Sequence, residues 1–143
     1  MIYLDTSFLT PLFREEAAST KIANFLSKQA AGSLVVSKWM AVEFASLVSR
    51  DVRMGVLTAG QGRRLIAELD SMLSTSLVVL IPSGNDFDLA QEYATNFATQ
   101  LRGPDALHLA VAHNNAVEFV ATLDYRMLFA AKKLKIPARR MIR

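Results

Sequence analysis

The first seven residues, MIYLDTS (residues 1–7), place a carboxylate directly behind a short apolar run. Residues 2–4 have the continuous apolar character of a strand that is covered on both faces, as the strands of parallel sheets are. Functional sites in open α/β sheets gather at the carboxyl ends of the strands, and Asp5 follows this strand at that end. The stretch therefore predicts a buried first strand, with Asp5 at the carboxyl edge of the sheet.

Further along the chain, short apolar runs alternate with longer segments that have the spacing of amphipathic helices. We predict further strands at residues 34–36, 77–81, 118–122 and 140–142. The predicted helices are residues 16–29, 38–53, 58–73, 85–101, 104–115 and 125–134. This alternation predicts an α/β fold with right-handed crossovers around a mainly parallel sheet of four to five strands. The 143 residues contain no linker or repeat, so we expect a single domain.

The composition narrows the class of protein. Hydrophobic residues make up 52% of the chain, but no apolar run reaches the roughly 18 residues that a membrane span needs. Asp5 also interrupts the apolar start, so we expect no secretory signal. Because the chain has no cysteine, it has neither disulfides nor a thiolate nucleophile or metal ligand. We expect a cytoplasmic protein without a membrane segment.

The net charge of +3 is unevenly distributed. Seven basic residues and no acid follow Asp124: Arg126, Lys132, Lys133, Lys135, Arg139, Arg140 and Arg143. Such a basic tail suits a polyanionic substrate such as nucleic acid. A solvated terminal helix and strand would have the same composition, and the sequence leaves both readings open.

Three more acids stand beside or inside apolar segments: Glu43, Asp105 and Asp124. A buried ionised carboxylate costs several kcal/mol unless a positive group meets it. Asp5, Asp105 and Asp124 could each serve as a helix cap or first-turn acid, but Glu43 lies in the middle of a predicted helix. Four such acids together indicate a shared cation, and an all-oxygen site favours Mg²⁺ or Mn²⁺ over zinc.

Four ordered segments carry a resemblance to a known family over nearly the whole chain. They are IYLDTS (2–7), AVEF (41–44), PDALHLA (104–110) and VATLD (120–124). Together they resemble the PIN-domain ribonucleases, specifically the VapC-type toxins of type II toxin–antitoxin systems. The resemblance implies one PIN domain over residues 1–143, with a three-layer α/β/α sandwich. It also implies an Mg²⁺- or Mn²⁺-dependent endoribonuclease that cleaves RNA with a metal-activated water, a cognate VapB-type antitoxin and a homodimer.

The resemblance assigns roles to individual residues. Asp5, Glu43, Asp105 and Asp124 match the acidic metal-binding positions of the family, and Thr6 matches the polar residue after the first acid, which in the family commonly supports the site. From their positions beside these acids, Ser7 and Thr122 are further candidates for orienting carboxylates, although both could instead bond only to nearby backbone. His108 follows Asp105 by three residues, but we expect it to be a satisfied core residue. Three basic residues are candidates for substrate contact: Lys38, Arg102 and Arg126.

Two other function classes compete with a nuclease. A non-catalytic RNA- or antitoxin-binding module of the same fold would not need the four acids. A phosphoacceptor receiver domain would need an aspartate after its central strand, where this chain has Pro82 and Ser83. Residues 50–77 are rich in apolar side chains and could line an antitoxin groove; ordinary core packing is the simpler explanation for many of them.

Overall fold

A parallel sheet organises the chain. The computed structural model describes residues 1–142, so Arg143, the last residue of the predicted basic tail, lies outside the described residues. Within residues 1–142 the sheet has five strands: β1 Ile2–Leu4, β2 Leu34–Ser37, β3 Val78–Leu80, β4 Phe119–Ala121 and β5 Ala138–Arg139. Their order is β3-β2-β1-β4-β5, and every neighbouring pair is parallel. The predicted α/β class and parallel sheet are confirmed.

Helices cover both faces of this sheet. In the described part of the chain they are α1 Thr6–Leu9, α2 Ser19–Leu26, α3 Lys38–Arg53, α4 Ala59–Thr75, α5 Gly84–Thr95, α6 Gly103–Asn114 and α7 Tyr125–Lys133. Short 3₁₀ turns occur at Thr10–Leu12 and Phe97–Thr99. Several helices begin at a polar cap; Thr58, for example, forms a capping box with Gln61 at the start of α4.

The predicted fifth strand at residues 140–142 is wrong. The strand is Ala138–Arg139, which pairs with Val120 and Ala121 of β4. The apolar pair Met141-Ile142 suggested the later position. Met141, however, has a φ of 59°, a left-handed conformation that interrupts an extended chain. Arg139 is tolerated in the strand because its guanidinium lies 4.4 Å from the centre of the Phe119 ring.

Two predicted helices are longer than the observed ones. The segment 16–29 is helical only over Ser19–Leu26, and the segment 85–101 ends its α-helix at Thr95. Asn96 leaves the helical region with ψ of 86°, and a 3₁₀ turn follows that ends at Gln100 in a left-handed conformation. The apolar spacing continues through these breaks, so the pattern alone could not place them.

Side chains alternate across the sheet and form a core on each face. On one face, Tyr3, Val35 and Val120 pack under α5, α6 and α7. On the other face, Leu4, Val36 and their neighbours pack under α1 to α4, where Phe8, Ile22, Phe44 and Leu69 are also buried. The three-layer α/β/α arrangement follows from this alternation.

Much of the apolar segment 50–77 contributes to the second core. Leu69 is 2% exposed, and Leu57, Leu65, Ile66, Met72 and Leu73 pack against the same cluster. Met54 and Val56 remain exposed at the turn between α3 and α4. None of the helices in residues 1–142 combines the length and the apolar character needed to cross a bilayer.

Candidate metal centre

The four acids come together at the carboxyl edge of the sheet. Asp5 directly follows β1, and Asp124 lies in the loop after the adjacent strand β4. Glu43 is in α3, which follows the strand on the other side of β1, and Asp105 is in the first turn of α6. All four line one cavity of about 600 Å³, here called the acidic cavity. Four distant segments of sequence thus meet at the point where the strand order reverses, the usual ligand position in such sheets.

Asp5 is the most deeply buried of the four, at 3% exposure. Its carboxylate accepts hydrogen bonds from the Ser7 hydroxyl at 2.9 Å, the Thr122 hydroxyl at 3.1 Å and the Phe8 N–H at 3.0 Å. Burial raises the pKa of Asp5 from 3.8 to about 6, and the positive charge of His108 and these hydrogen bonds only partly offset it. The carboxylate is therefore held in a fixed position in an environment that penalises its charge.

Ser7 and Thr122 connect Asp5 to the loop after β4. The Ser7 hydroxyl accepts a hydrogen bond from the Leu123 N–H at 2.9 Å while donating to Asp5. The Thr122 hydroxyl accepts from the Asp124 N–H at 3.0 Å and donates to Asp5 at 3.1 Å. Both hydroxyls thus bond to backbone and to the carboxylate, so the two alternatives left open by the sequence coexist.

Glu43 is held by two partners from other elements. Thr6 Oγ1 donates a hydrogen bond to Glu43 Oε2, and His108 Nε2 forms an ion-paired hydrogen bond with the same oxygen. Burial raises the pKa of Glu43, but the hydrogen bond and charge of His108, together with Thr6, outweigh burial and leave the pKa below its ordinary value. Glu43 is thus an ionised carboxylate with one oxygen already engaged.

His108 is the residue whose role sequence reasoning missed. It is buried, as expected of a core residue, but its Nδ1 shares a hydrogen bond of 2.6 Å with the Tyr3 hydroxyl while Nε2 binds Glu43. Burial lowers the pKa of His108, but the hydrogen bond and charge of Glu43 outweigh it and leave the pKa raised. The three-residue spacing from Asp105 was the available signal; the partnership with Tyr3 and Glu43 depends on tertiary structure.

Asp105 and Asp124 are less constrained. Burial raises the pKa of Asp105, and the negative charges of Asp124 and Glu43 raise it further, against smaller opposing effects of His108 and Arg102. Asp124 Oδ1 accepts a hydrogen bond from the Arg126 N–H at 2.8 Å and caps α7. Capping therefore does occur at Asp5 and Asp124, yet both carboxylates still face the acidic cavity.

The donor set fits a hard divalent cation. Among residues 1–142 no Lys or Arg forms an ion pair with any of the four acids, and the one ion pair in the cavity joins His108 to Glu43; Arg102 acts on Asp105 only from beyond ion-pair distance. At the same time, the described residues contain no group of three Asp, Glu or His side chains close enough to form a ready-made ligand cage. The Glu43 carboxylate is hydrogen-bonded to His108. The Asp124 carboxylate instead caps the start of α7. The four carboxylates themselves are an all-oxygen donor set, the type that hard divalent cations prefer.

The three basic candidates are placed differently. Arg102 lines the acidic cavity beside Pro104 and Asp105. Lys38 and Arg126 are exposed and lie outside the residues that line it. Parts of the basic tail pack on aromatic rings: the Arg140 guanidinium lies 4.4 Å from the Tyr125 ring centre, and Lys133 Nζ lies 5.0 Å from that of Phe129.

Comparisons with known proteins agree with this architecture. Residues 2–133 match the family model of the PIN domain. The fold is similar to VapC20 of Mycobacterium tuberculosis, described as a sarcin-ricin loop cleaving toxin, with a TM-score of 0.75 and 19% identity over 91% of this chain and 95% of that one. It is also similar to VapBC-1 of nontypeable Haemophilus influenzae, with a TM-score of 0.71 and 18% identity over 99% and 98% of the two chains. FitAcB of Neisseria gonorrhoeae has a TM-score of 0.70 and 19% identity over 99% and 98%. A sequence comparison with curated proteins finds no match.

Proposed function

Because the chain belongs to the PIN domain family, we propose that residues 1–143 form a single PIN domain that acts as an Mg²⁺- or Mn²⁺-dependent endoribonuclease. Within the family we assign it to the VapC-type toxins. The observation that carries the proposal is the acidic cavity, where carboxylates from four distant segments converge without a Lys or Arg partner in the described part of the chain. Such a cluster tolerates its own charge only when a cation is present.

The four acids have different proposed roles in binding the cation. Asp5 and Asp105 would be the direct ligands, and Glu43 and Asp124 would complete the site or hold a second ion. Held by these acids, Mg²⁺ or Mn²⁺ would supply an activated water and would neutralise charge on the phosphate. Because the chain has no cysteine, we assign no covalent nucleophile to the protein.

Neighbouring side chains position the ligands. Ser7 and Thr122 fix both oxygens of Asp5 through their hydrogen bonds. His108 Nε2 and Thr6 Oγ1 keep Glu43 ionised and oriented, as the partners of metal ligands commonly do. Arg102 lies in the cavity wall, where its guanidinium can bind a phosphate of the RNA.

The partners follow from the same family assignment. We propose a cognate VapB-type antitoxin, a homodimer and a cytoplasmic location. The resemblance to VapC-type toxins supports each of these.

A non-catalytic RNA- or antitoxin-binding module remains the second candidate. One observation favours it: the described acids do not form a ready-made three-ligand metal site. Such a module would bind RNA or antitoxin equally well after the acids are neutralised, whereas the nuclease would lose its activity.

Sequencing of RNA ends after brief expression separates the two candidates. The wild type is compared with Asp5→Asn and with Asp70→Asn, which removes an exposed acid of α4 outside the cavity. We expect new 5′-phosphate and 3′-hydroxyl ends at defined positions in the wild type and in Asp70→Asn, and none in Asp5→Asn. New ends of equal abundance in all three samples would refute the nuclease.

Arg102→Ala tests the proposed phosphate contact. We expect weaker binding of single-stranded RNA, and a plot of log affinity against log salt that is flatter by about one unit, because one phosphate contact is lost. Arg63→Ala is the matched control, since Arg63 is exposed on α4 and does not line the acidic cavity. Equal slopes for Arg102→Ala and the wild type would remove Arg102 from the RNA-binding surface.

A further inference from the structure

A second cavity adjoins the acidic one and has a different character. It has a volume of about 410 Å³ and is lined almost entirely by apolar atoms from α3, α5 and the start of α6. The side chains that matter here are Trp39, Phe87, Gln91, Pro104 and Leu107. We call it the aromatic cavity, because Trp39 and Phe87 give it two aromatic rings.

The two cavities share part of their walls. Trp39 and Pro104 line both of them. Arg102 lines the acidic cavity, and the next residue, Gly103, lines the aromatic one. A ligand that occupied both adjoining cavities would place an anionic group beside Arg102 and a flat apolar group beside Trp39.

The aromatic cavity is open to solvent. Phe87 is 55% exposed, although it lies within α5 rather than at one of its ends. Gln91 stands one helical turn further along α5 and offers an amide donor and an acceptor at the same cavity. Trp39 is partly buried, so Phe87 is the exposed ring of the cavity. An exposed aromatic ring with an adaptable polar group beside it is typical of sites for a planar, partly polar ligand.

We propose that the aromatic cavity binds a nucleobase of the RNA substrate next to the phosphate that is cleaved, an inference that rests on the proposed function. Proteins bind single-stranded RNA by stacking unpaired bases on aromatic side chains while basic residues hold the backbone. Here Trp39 and Phe87 supply the rings, Arg102 supplies the charge, and Gln91 can bond to the edge of the base. The nucleobase is favoured over an apolar side chain of a protein partner because the cavity adjoins the site that must admit the phosphate, with Trp39 and Pro104 in both walls.

Phe87→Ala is the direct test, made in an Asp5→Asn background so that the RNA stays intact. The probe is a fluorescein-labelled single-stranded RNA of ten nucleotides, and the measurement is its Kd by anisotropy. We expect Phe87→Ala to raise the Kd by about 5- to 150-fold, the effect of losing one base stack. The salt dependence should not change, since no charge is removed. Phe97→Ala is the matched control: Phe97 is 86% exposed, lies just beyond α5 and does not line the cavity.

Abasic RNAs identify the occupant. Each nucleotide of the probe is replaced in turn by an abasic one. We expect one position at which base removal weakens binding to the Phe97→Ala protein but has no further effect on Phe87→Ala, because the two changes remove the same contact. The losses would instead add if the base bound elsewhere, and that result would overturn the inference.

The outcomes separate this inference from the proposed function. If Phe87→Ala binds RNA as tightly as Phe97→Ala does, the aromatic cavity does not bind a base, while RNA binding by the protein stands. If neither protein binds the probe, and the wild type with EDTA does not bind it either, both the inference and the RNA-directed function are refuted.

Discussion

Asp5→Asn is expected to reduce RNA cleavage by about a hundred- to a thousand-fold while the fold remains intact. A metal ion contributes several kcal/mol of transition-state stabilisation, and each 1.4 kcal/mol corresponds to a factor of ten in rate. Asparagine keeps the shape of the side chain, can still accept from the Phe8 N–H and is itself a good helix cap. The single-turnover rate of cleavage of a labelled RNA, with circular dichroism of both proteins, measures the effect.

The same substitution should stabilise the metal-free protein. Asp5 has a pKa of about 6 in the folded protein and an ordinary value of 3.8, so the folded state binds its proton more tightly. The protonated Asp5 therefore contributes to the stability of the folded state, fully below about pH 4 and no longer once the pH has risen through 6. At about 1.4 kcal/mol per pKa unit, the ionised Asp5 costs the wild type roughly 3 kcal/mol at neutral pH, a cost that Asp5→Asn does not carry.

Urea unfolding at pH 5 and pH 8 in the presence of EDTA measures this difference. We expect the free energy of unfolding of Asp5→Asn to exceed that of the wild type at pH 8, with a smaller gap at pH 5. Higher stability together with lost activity would mark Asp5 as a residue retained for function. A wild type that is more stable than Asp5→Asn at pH 8 without metal would show that the carboxylate is structural.

Saturating Mg²⁺ is expected to raise the melting temperature by about 5–10 °C at pH 8. A ligand at a hundred times its Kd stabilises the folded state by about 2.7 kcal/mol, and a domain of this size gains about 2–4 °C per kcal/mol. The rise should be smaller at pH 5, because a proton then competes with the metal for Asp5. Differential scanning fluorimetry with Mg²⁺, with EDTA and with NaCl at matched ionic strength measures the shift.

Variants assign that shift to the acidic cavity. Asp105→Asn should lose most of the Mg²⁺ effect, whereas Asp70→Asn should retain it. An equal shift in all proteins would place the ion elsewhere on the surface.

The sequence was most informative where a short apolar run ended in a polar residue. Residues 2–4 and 34–36 predicted parallel strands correctly, because buried strands need uninterrupted apolar side chains on both faces. The last strand was misplaced, since β5 contains Arg139, whose packing on Phe119 is a tertiary contact. Periodicity alone does not reveal such a contact.

The acids of the candidate site were predictable, and so were Thr6, Ser7 and Thr122 beside them, but the pairing of His108 with Glu43 was not. The positions of Asp5 and Asp124 at the ends of two strands were predicted from the sequence, whereas the structure shows that those strands, β1 and β4, are neighbours. The link from Tyr3 through His108 to Glu43 joins residues more than sixty positions apart, and only the folded chain brings them together. Which basic residues reach the cavity also depended on the fold, because Arg102 lines it and Lys38 does not.

Binding of Mn²⁺, followed by electron paramagnetic resonance at pH 7.5, tests most directly whether the four carboxylates of the acidic cavity bind a divalent metal ion. We predict saturable Mn²⁺ binding to the wild type and to Asp70→Asn. In Asp5→Asn and in Asp105→Asn the affinity for Mn²⁺ should fall at least about tenfold, because a ligand or its support is lost. Unchanged affinity in the double variant Asp5→Asn/Asp105→Asn, or no specific binding to the wild type, would contradict the metal centre and the nuclease built on it.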